Sequence, residues 1–351
     1  MALTPEAAAA AFVGDGATCA PFAGGHINAS WLVRRGAERG FLQRINARVF
    51  PEPRQVMANV TAVTAHVREC HGPVTCPALL PTLSGRPWLE DESGDMWRCT
   101  EFIDAEVKPT VGSARDAREA AFAFGAFSRM LASYEGPPLP ETIPGFHDTA
   151  ARLSQFERAV ATDPLGRVAA VRADIEALRQ RAPLADLLPP RLDAGSVPFR
   201  LAHNDAKIAN VLFDRASGRA GWVVDLDTVM PGSLLHDFGD RVRSSVSPAA
   251  EDAASPVAEP ELFEALAEGF LRGVGDMPTA TELELLESAG RLITFEQAVR
   301  FLTDHLQGDT YYRIDRPGQN LLRARSQLAL LRSLEAQVEA FRTTVERLAR
   351  P

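Results

Sequence analysis

The sequence predicts an α+β protein with two lobes, and three observations support this prediction. A chain of 351 residues is too long for a single small core. Residues 19–103 show short strand-like runs separated by turns, whereas the residues from about 113 onward show mainly helical periodicity. We therefore divide the chain into a smaller N-lobe, residues 1–103, and a larger C-lobe, residues 104–351.

Composition and charge limit the classes of protein to which the chain can belong. It is 46% hydrophobic and 24% charged, as in ordinary globular proteins, and its formal net charge is −9. An acidic chain is a poor partner for nucleic acid or for an anionic membrane. No apolar stretch reaches the length of a membrane span, and the N-terminus lacks the pattern of a signal peptide. We expect a cytoplasmic monomer or homodimer, with no nucleic-acid or membrane partner.

The N-lobe is predicted to contain a short helix, an antiparallel sheet and one longer helix. Thr4 followed by Pro5 is typical of a capped helix start. The stretch ASWLVRRGAERGFLQRI, residues 29–45, predicts two strands joined by a turn. Valines spaced three and four residues apart predict a helix over residues 53–70. Strands resume in residues 77–103.

The C-lobe is predicted to be helical around one hairpin. Amphipathic patterns predict helices over residues 113–134, 147–162 and 165–182. A hairpin is expected at about residues 200–228, and helices should fill the remainder of the chain.

The hairpin carries the polar residues that point to chemistry. Asp205, Lys207 and Asn210 precede the apolar strand VLF, and Asp225 follows the second apolar strand, WVV. Two short strands joined by a tight turn bring their far ends together, so Asp205 and Asn210 should lie near Asp225. Carboxylate and amide oxygens suit a hard divalent ion such as Mg²⁺. Lys207 could offset charge on a transferring phosphoryl group.

These residues carry a family resemblance. The spacing H-x-D-x-K-x-x-N, from His203 to Asn210, resembles the catalytic loop of the protein kinase fold. No arginine follows the histidine, which is similar to the aminoglycoside phosphotransferase and choline kinase superfamily. The resemblance implies a protein-kinase-like bilobal fold, with ATP as phosphoryl donor and Mg²⁺ as cofactor. It implies that Asp205 is the catalytic base, with Lys207 beside it, and that Asn210 and Asp225 bind the metal.

Other aspartates compete for the metal site. By the resemblance, the metal ligand lies on the strand directly after the hairpin, which selects Asp225, with Asp227 as a possible second ligand. The letters DFG occur at Asp237, but a turn and four further residues separate Asp237 from the hairpin. We expect Asp237 and Asp240 to cap or tether the following helix, and Asp214 to stabilise the hairpin turn.

The resemblance also implies a nucleotide site in the N-lobe. Gly24 and Gly25 stand where a phosphate-covering loop would lie, although they do not form a G-x-G-x-x-G motif. Arg44 is the candidate for the basic residue that meets the ATP phosphates in place of the usual lysine. Residues 53–70 show no clearly placed glutamate to pair with it. The backbone at Glu101 and Ile103 would contact adenine.

The chain further resembles one subgroup, the bacterial N-acetylhexosamine 1-kinases. The shared stretches are GGHIN (24–28), FLQRIN (41–46), HNDAKIANVLFD (203–214), DLDTVMPG (225–232) and RFLTDHLQGDTYY (300–312). This likeness implies that His26, Arg300 and Tyr311 line a sugar pocket, with Asp205 facing the anomeric hydroxyl.

The predicted function is phosphoryl transfer from ATP to a small-molecule hydroxyl, with a sugar as the expected partner. A protein kinase is excluded because the chain between Asp225 and the next helix is too short for an activation loop, and no A-P-E motif follows. One alternative is a kinase of the same fold that acts on an aminoglycoside, choline or homoserine. A second alternative is a nucleotide-binding regulator without catalytic activity.

Overall fold

The computed structural model describes residues 3–22 and 27–350, and an antiparallel sheet forms most of the N-lobe. In the sheet, neighbouring strands follow the order β1–β2–β3–β6–β4, and β5 also pairs with β6. The strands are β1 Thr18–Pro21, β2 Ala29–Arg35, β3 Glu38–Arg44, β4 Leu79–Leu80, β5 Leu89–Glu90 and β6 Met96–Glu101. The predicted hairpin between β2 and β3 is confirmed by full antiparallel register from Ala29 opposite Arg44 to Arg35 opposite Glu38.

Two helices accompany this sheet. Helix α1, Pro5–Val13, begins as predicted, because the Thr4 side chain accepts a hydrogen bond from the Ala7 N–H. It packs on one face of the sheet and encloses a small core of its own with Leu42 and Trp97. Helix α2, Pro53–Glu69, confirms the helix predicted from the valine spacing.

The C-lobe is mainly helical, as predicted. Its helices are α3 Ala114–Leu131, α4 Thr149–Thr162, α5 Arg172–Arg179, α6 Pro189–Asp193, α7 Leu234–Ser245, α8 Pro260–Val274, α9 Ala280–Gln307, α10 Gln319–Glu335 and α11 Val338–Leu348. The long helical pattern near the C-terminus is divided into α10 and α11. No helix within residues 3–22 and 27–350 is both long and apolar enough to span a bilayer.

Two short sheets are embedded among these helices. Strands β9 Val211–Phe213 and β10 Ala220–Val223 form the predicted hairpin, and β7 Glu106–Val107 pairs with β9. Strands β8 Arg200–Ala202 and β11 Met230–Gly232 pair with each other. The loop that carries Asp205 joins β8 to β9, and Asp225 follows β10, so the ends of these short strands meet at the candidate site.

Buried side chains form three cores, which do not follow the lobe boundary. The largest core joins α2 to helices α3, α7 and α8 of the C-lobe. A second lies between α4, α5, α9 and α10, and the third lies between α1 and the sheet. The architecture confirms the predicted α+β fold class, and it ties α2 to the C-lobe more closely than the order of elements suggested.

Candidate active site

The loop between β8 and β9 brings three predicted site residues into direct contact. The Lys207 Nζ donates to the Asp205 Oδ2 at 2.6 Å. The Asn210 Nδ2 donates to the same oxygen at 3.0 Å and to the Asp205 carbonyl at 2.8 Å. The loop therefore closes on itself, and an ammonium and an amide hold the Asp205 carboxylate in one orientation.

Charge keeps this pair ionised. Burial would raise the pKa of Asp205, but the Lys207 ammonium outweighs burial and holds the pKa of that carboxyl below its ordinary value. Burial would lower the pKa of Lys207, but Asp205 and then Asp225 raise it above its ordinary value. Asp205 is therefore an anion at neutral pH, able to accept a hydrogen bond from an acceptor hydroxyl.

The backbone of the loop is held mainly by the C-lobe. Asp237 accepts hydrogen bonds from the N–H groups of His203, at 2.9 Å, and Asn204, at 2.7 Å. The Arg241 guanidinium donates to the Ala206 carbonyl at 2.8 Å. Of the two expected roles of Asp237, to cap or to tether the following helix, the structure shows the tether, which joins α7 to the loop. Ser233 caps α7, and Asp237 anchors the loop.

Asp240 and Asp214 behave much as expected of structural aspartates. Asp240 pairs with Arg243 in the same helix, at 2.7 Å. Asp214 accepts from the backbone N–H and hydroxyl of Ser217, which stabilises the hairpin turn.

A buried histidine holds the loop from the other side. One ring nitrogen of His147 lies 2.8 Å from the Asn204 carbonyl oxygen, and the other lies 2.8 Å from Glu296 Oε1. Since both neighbours are acceptors, both nitrogens carry a proton and the ring is an imidazolium. Burial opposes this charge, but Glu296 raises the pKa of His147, and His147 in turn lowers the pKa of the buried Glu296 to about 2.

Asp225 differs from Asp205, Asp237 and Glu296, whose carboxylates all accept hydrogen bonds. It has a left-handed backbone, with φ 63° and ψ 56°, a conformation uncommon outside glycine. Its carboxylate accepts no hydrogen bond from the residues that the structure describes. Desolvation by the surrounding protein, and then Asp227, raise the pKa of Asp225 above its ordinary value, although Lys207 opposes them. A cation at this carboxylate would relieve that repulsion.

Asp225 and Asn210 fit a magnesium ion. The Asn210 amide nitrogen is occupied by Asp205, whereas its oxygen has no partner among the described residues. Mg²⁺ uses one or two protein carboxylates with waters and phosphate oxygens. The described residues hold no group of three or more His, Cys, Asp or Glu side chains that would form an all-protein metal cage. The donor set therefore suits an ion shared with a phosphate ligand.

The structure contradicts the prediction that Asp227 is a second metal ligand. Both carboxylate oxygens of Asp227 are taken by N-lobe donors, one by the Arg98 guanidinium and the other by Asn28 Nδ2 at 2.6 Å. Arg98 and Asp227 are 3% and 2% exposed, so this is a fully buried ion pair. Because both donors belong to the N-lobe, Asp227 links the two lobes, and neither of its oxygens is free for a metal ion.

The position of Arg44 also contradicts its predicted role. Side chains alternate along a strand, and Arg44 lies on the same face of β3 as Leu42, against Trp97 and the core beside α1. It pairs with Asp95 at 3.2 Å. The face that meets Asp227 carries Gln43 and Arg98, which hydrogen bond to each other at 2.9 and 2.7 Å. Arg98 is the basic residue that the N-lobe directs toward Asp227.

Glu101 and Ile103, the predicted backbone contacts of adenine, lie at the end of β6 and just beyond it. The Glu101 N–H donates to the Ala78 carbonyl, and its carboxylate accepts from the Ala78 N–H and from Arg68. The Ile103 carbonyl accepts from the Ala105 N–H. The Glu101 N–H and the Ile103 carbonyl are thus used within the protein, whereas the Ile103 N–H has no hydrogen-bond partner among the described residues. Contact of this segment with adenine stays a prediction. Gly24, Gly25 and His26 lie outside the described residues.

Arg300 and Tyr311 lie together near the C-terminal end of α9. The Arg300 guanidinium lies 5.9 Å from the Tyr311 ring and 4.8 Å from the Phe146 ring. It also lies 3.8 Å from Glu296, the partner of His147. Arg300 is thus joined to the loop between β8 and β9 through Glu296, His147 and the Asn204 carbonyl.

Two cavities lie in the described part of the C-lobe near α9, and Phe146 lines the larger one. The larger, of about 380 Å³, reaches Asn204 and has the exposed Phe199 at its edge. The smaller, of about 80 Å³, is lined by Arg300 and Tyr311 and also by Arg152.

The fold and the site together define a class of protein. A two-lobed α+β fold, with an Asp–Lys–Asn loop and, just after the β9–β10 hairpin, an aspartate without a hydrogen-bond partner among the described residues, is that of the protein-kinase-like phosphotransferases. A family model described as the phosphotransferase enzyme family matches residues 18–283. The chain belongs to this family.

Solved structures of low sequence identity share the fold. An aminoglycoside phosphotransferase from Alicyclobacillus acidocaldarius subsp. acidocaldarius DSM 446 is 16% identical, with a TM-score of 0.63 over 97% of this chain and 98% of that chain. A microcompartment-associated aminopropanol kinase is 15% identical, with a TM-score of 0.59 over 93% and 94%. A spectinomycin phosphotransferase, solved with ADP and spectinomycin, is 12% identical, with a TM-score of 0.55 over 91% and 93%.

Sequence reasoning missed two groups of residues at the site. Arg98 and Asn28 hold Asp227, and His147 with Glu296 holds Asn204. A signal existed for Arg98, because a lone arginine in the apolar strand MWRC must find a buried partner. His147 and Glu296 are 149 residues apart, and no local pattern connects them.

Proposed function

We propose that the protein transfers the γ-phosphoryl group of ATP to the anomeric hydroxyl of an N-acetylhexosamine. The observation that carries this proposal is the Asp205 carboxylate, which is held by Lys207 and Asn210 beside the unpaired Asp225. Such an arrangement provides an oriented base next to a candidate cation site. The ADP in the spectinomycin phosphotransferase structure supports a nucleotide donor.

The catalytic groups act mainly by position and charge. Asp225 and the Asn210 oxygen would hold Mg²⁺, which when bound neutralises phosphate oxygens. Asp205 orients the acceptor hydroxyl and takes its proton as the new O–P bond forms and the bond to the leaving phosphate breaks. Lys207 offsets negative charge near the transferring group. Since the pKa of Asp205 is lowered, it remains ionised until the hydroxyl proton becomes acidic late in transfer.

A sugar acceptor is supported by the surroundings of Arg300. A neutral sugar is bound by a few oriented polar groups and an aromatic face. Arg300, Tyr311, Tyr312 and Phe146 supply both kinds of group at one end of α9. A pocket with two arginines also disfavours a polycationic acceptor.

One observation favours the alternative of a cationic acceptor. The cavity of about 380 Å³ beside Asn204 is lined by three acidic residues, Glu141, Asp148 and Asp193. The first two carboxylates accept backbone hydrogen bonds, but Asp193 has no hydrogen-bond or ion-pair partner among the described residues. An amino alcohol or an aminoglycoside could place its ammonium group there.

The test is incubation with Mg-ATP and a panel of acceptors, followed by phosphorus NMR. The panel holds N-acetylglucosamine, N-acetylgalactosamine, plain hexoses, kanamycin, choline and homoserine. We expect an anomeric phosphate signal from an N-acetylhexosamine, and its absence in Asp205→Asn. Asp276→Asn, at an exposed aspartate without a hydrogen-bond or ion-pair partner among the described residues, is the matched control.

The other outcomes each contradict part of the proposal. A phosphate ester formed only from kanamycin, choline or homoserine would retain the Asp205 mechanism and reject the sugar. Binding of ATP without transfer to any acceptor would favour the non-catalytic regulator.

A further inference from the structure

The small cavity beside α9 contains two arginines that share one space. Its volume is about 80 Å³, and Arg152 from α4 and Arg300 from α9 both line it. Glutamine side chains at positions 155 and 307 and the Tyr311 ring complete much of the wall. About 10–15 Å³ of such cavity volume is enough for one water molecule, so this space can accommodate a small oxyanion or one substituent of a larger ligand.

Arg152 lacks a carboxylate partner. Its Nη2 donates to the Phe146 carbonyl at 3.2 Å, and its Nη1 lies 3.4 Å from the Gln155 amide oxygen. Its Nε is buried without any hydrogen-bond partner among the described residues. A buried, unsatisfied N–H of a charged group is costly. Burial, and then Arg300, lower the pKa of Arg152 below its ordinary value, as expected for a cation held beside a second cation.

Arg300 is only partly compensated. The nearest carboxylate oxygen, Glu296 Oε1, lies 3.8 Å from its Nη1, beyond hydrogen-bond distance. Its other polar neighbours are the Gln297 amide at 3.5 Å and the Tyr311 hydroxyl. Aromatic rings cover the guanidinium, so little water reaches it.

The acidic groups near the cavity are already occupied. Glu296 accepts from the His147 imidazolium and from the Thr149 hydroxyl at 2.6 Å. Asp304 accepts from three backbone N–H groups, of residues 310–312, and from the Asn320 amide. With His147, Arg152 and Arg300 against Glu296 and Asp304, the cluster keeps an excess positive charge.

We propose that this cavity binds an anionic group, a carboxylate or a phosphate monoester, between Arg152 and Arg300. Paired guanidinium groups offer several parallel N–H donors, the arrangement that recognises these oxyanions best. An anion there would satisfy the free Arg152 Nε and relieve the repulsion between the two arginines.

The anion could be a substituent of the acceptor or a separate molecule. Arg300 is connected to the loop that carries Asp205 through Glu296 and His147, which places the cavity on the C-lobe side of that loop. A sugar whose reacting hydroxyl faces Asp205 could extend an acidic substituent toward the arginines. This assignment rests on the proposed function, whereas the anion site itself does not.

The first experiment measures binding of inorganic phosphate by calorimetry, with Mg-ADP present at saturating concentration. Loss of one charged donor should weaken phosphate binding about 10- to 100-fold in Arg152→Gln. Arg158→Gln is the matched control, because it removes the same charge from an exposed position on the same helix. Arg152→Lys should retain part of the affinity, and melting temperatures establish that each variant is folded.

Two results would overturn the site. One is equal phosphate affinity in the wild type and in Arg152→Gln. The other is the absence of measurable phosphate binding to the wild type at millimolar concentrations.

The second experiment distinguishes the two sources of the anion. It measures KM for N-acetylglucosamine and for its 6-phosphate, in the wild type and in Arg152→Gln. If the anion belongs to the acceptor, the KM ratio of the phosphorylated to the neutral sugar should rise at least tenfold in the variant. An unchanged ratio, with inorganic phosphate that does not compete with either sugar, would assign the cavity to a separate anion.

The calorimetric result stands even if no sugar is phosphorylated. Failure of the proposed function would leave the phosphate titration intact, whereas failure of the anion site would abolish the dependence of phosphate binding on Arg152.

Discussion

Asp225 and Asp237 are two aspartates of one short segment, and their surroundings are opposite. Burial raises the pKa of Asp237. The side chain of Asp225 is solvent-exposed, and desolvation by nearby protein, followed by Asp227, raises its pKa. Asp237 is fully buried and accepts two backbone hydrogen bonds from the catalytic loop. Asp225 accepts none from the described residues and faces the charge of Asp227. A satisfied carboxylate holds structure, whereas an unsatisfied one beside other acids is where a cation would bind.

The largest expected effect concerns the Asp205 carboxylate. Asp205→Asn should lower kcat by about 10²- to 10⁴-fold, because the amide cannot take the hydroxyl proton. The free energy of unfolding, measured by urea titration, should fall as well, because the lowered pKa of Asp205 means that its ionised carboxylate stabilises the folded state, although Asn210 can still donate to the amide oxygen. A variant with nearly wild-type kcat would remove Asp205 from the mechanism.

The next prediction tests the link between the lobes. Arg98→Gln should lower the free energy of unfolding by about 3–5 kcal/mol, because it leaves Asp227 buried without its cation. The double variant Arg98→Gln with Asp227→Asn should recover part of this loss. Denaturant titration of the single and double variants measures both values. A cost below 1 kcal/mol, on the order of an exposed pair, would show that water reaches Asp227.

The comparison itself is tested by matched substitutions. Asp237→Asn should cost about 2–4 kcal/mol of stability, because an amide offers only one acceptor oxygen to two buried N–H donors. Asp225→Asn should leave stability nearly unchanged, because the Asp225 side chain is solvent-exposed and its carboxylate accepts no hydrogen bond from the described residues.

The dependence of activity on Mg²⁺ should change in Asp225→Asn, which keeps its stability, and not in Asp237→Asn, which loses stability. The Mg²⁺ concentration at half-maximal activity should rise in Asp225→Asn and stay near the wild-type value in Asp237→Asn. If Asp237→Asn raised the Mg²⁺ requirement without a loss of stability, the DFG motif at Asp237 would be the metal site.

The smallest effect is a pH dependence from two adjacent histidines, His147 and His236, whose ring centroids lie 4.7 Å apart with the ring planes tilted by 38°. Burial, and then the His147 cation, lower the pKa of His236 to about 3. The free energy of unfolding should therefore decrease as pH falls from about 6.5 toward 3, by up to about 1.4 kcal/mol per pH unit. The pKa of His147 is raised, so its effect on stability has the opposite pH dependence. Its contribution to the free energy of unfolding is complete below about pH 6.5 and is lost as pH rises through the pKa of the folded state.

Urea titrations of His236→Asn and His147→Gln between pH 5 and 9 would measure these contributions. The first variant should lose less stability than the wild type on acidification, and the second should lose less on alkalinisation. Parallel profiles for the wild type and both variants would contradict the assigned charge states.

Local patterns were sufficient for most elements and for the spacing of the central residues. The Thr4 cap, the valine periodicity of α2 and the β9–β10 hairpin follow from neighbouring residues, and the hairpin brings Asp205 and Asn210 to the site by short-range geometry. The roles of the site residues themselves stay predictions. Arg44 was misassigned because its strand alternation could not be oriented without knowing which face of β3 packs on α1.

Long-range contacts account for what the sequence could not predict. The buried partner of Asp227 lies on β6, 129 residues earlier, and the histidine that holds Asn204 depends on a glutamate in α9. Such contacts depend on how whole elements pack, and the local sequence of either partner does not encode the other.

The core around α2 has a consequence for motion. Its Met57, Val60 and Val63 lie in the same core as Phe124 and the other C-lobe side chains, while the sheet and α1 enclose a separate core. The Asn59 amide fastens this helix further, by donating to the carbonyls of Pro140 and Val229. Opening of the cleft should therefore be a tilt of the sheet with α1, as one rigid body, over a stationary α2. The pivots would be the connections on either side of that helix, residues 45–52 and 70–78.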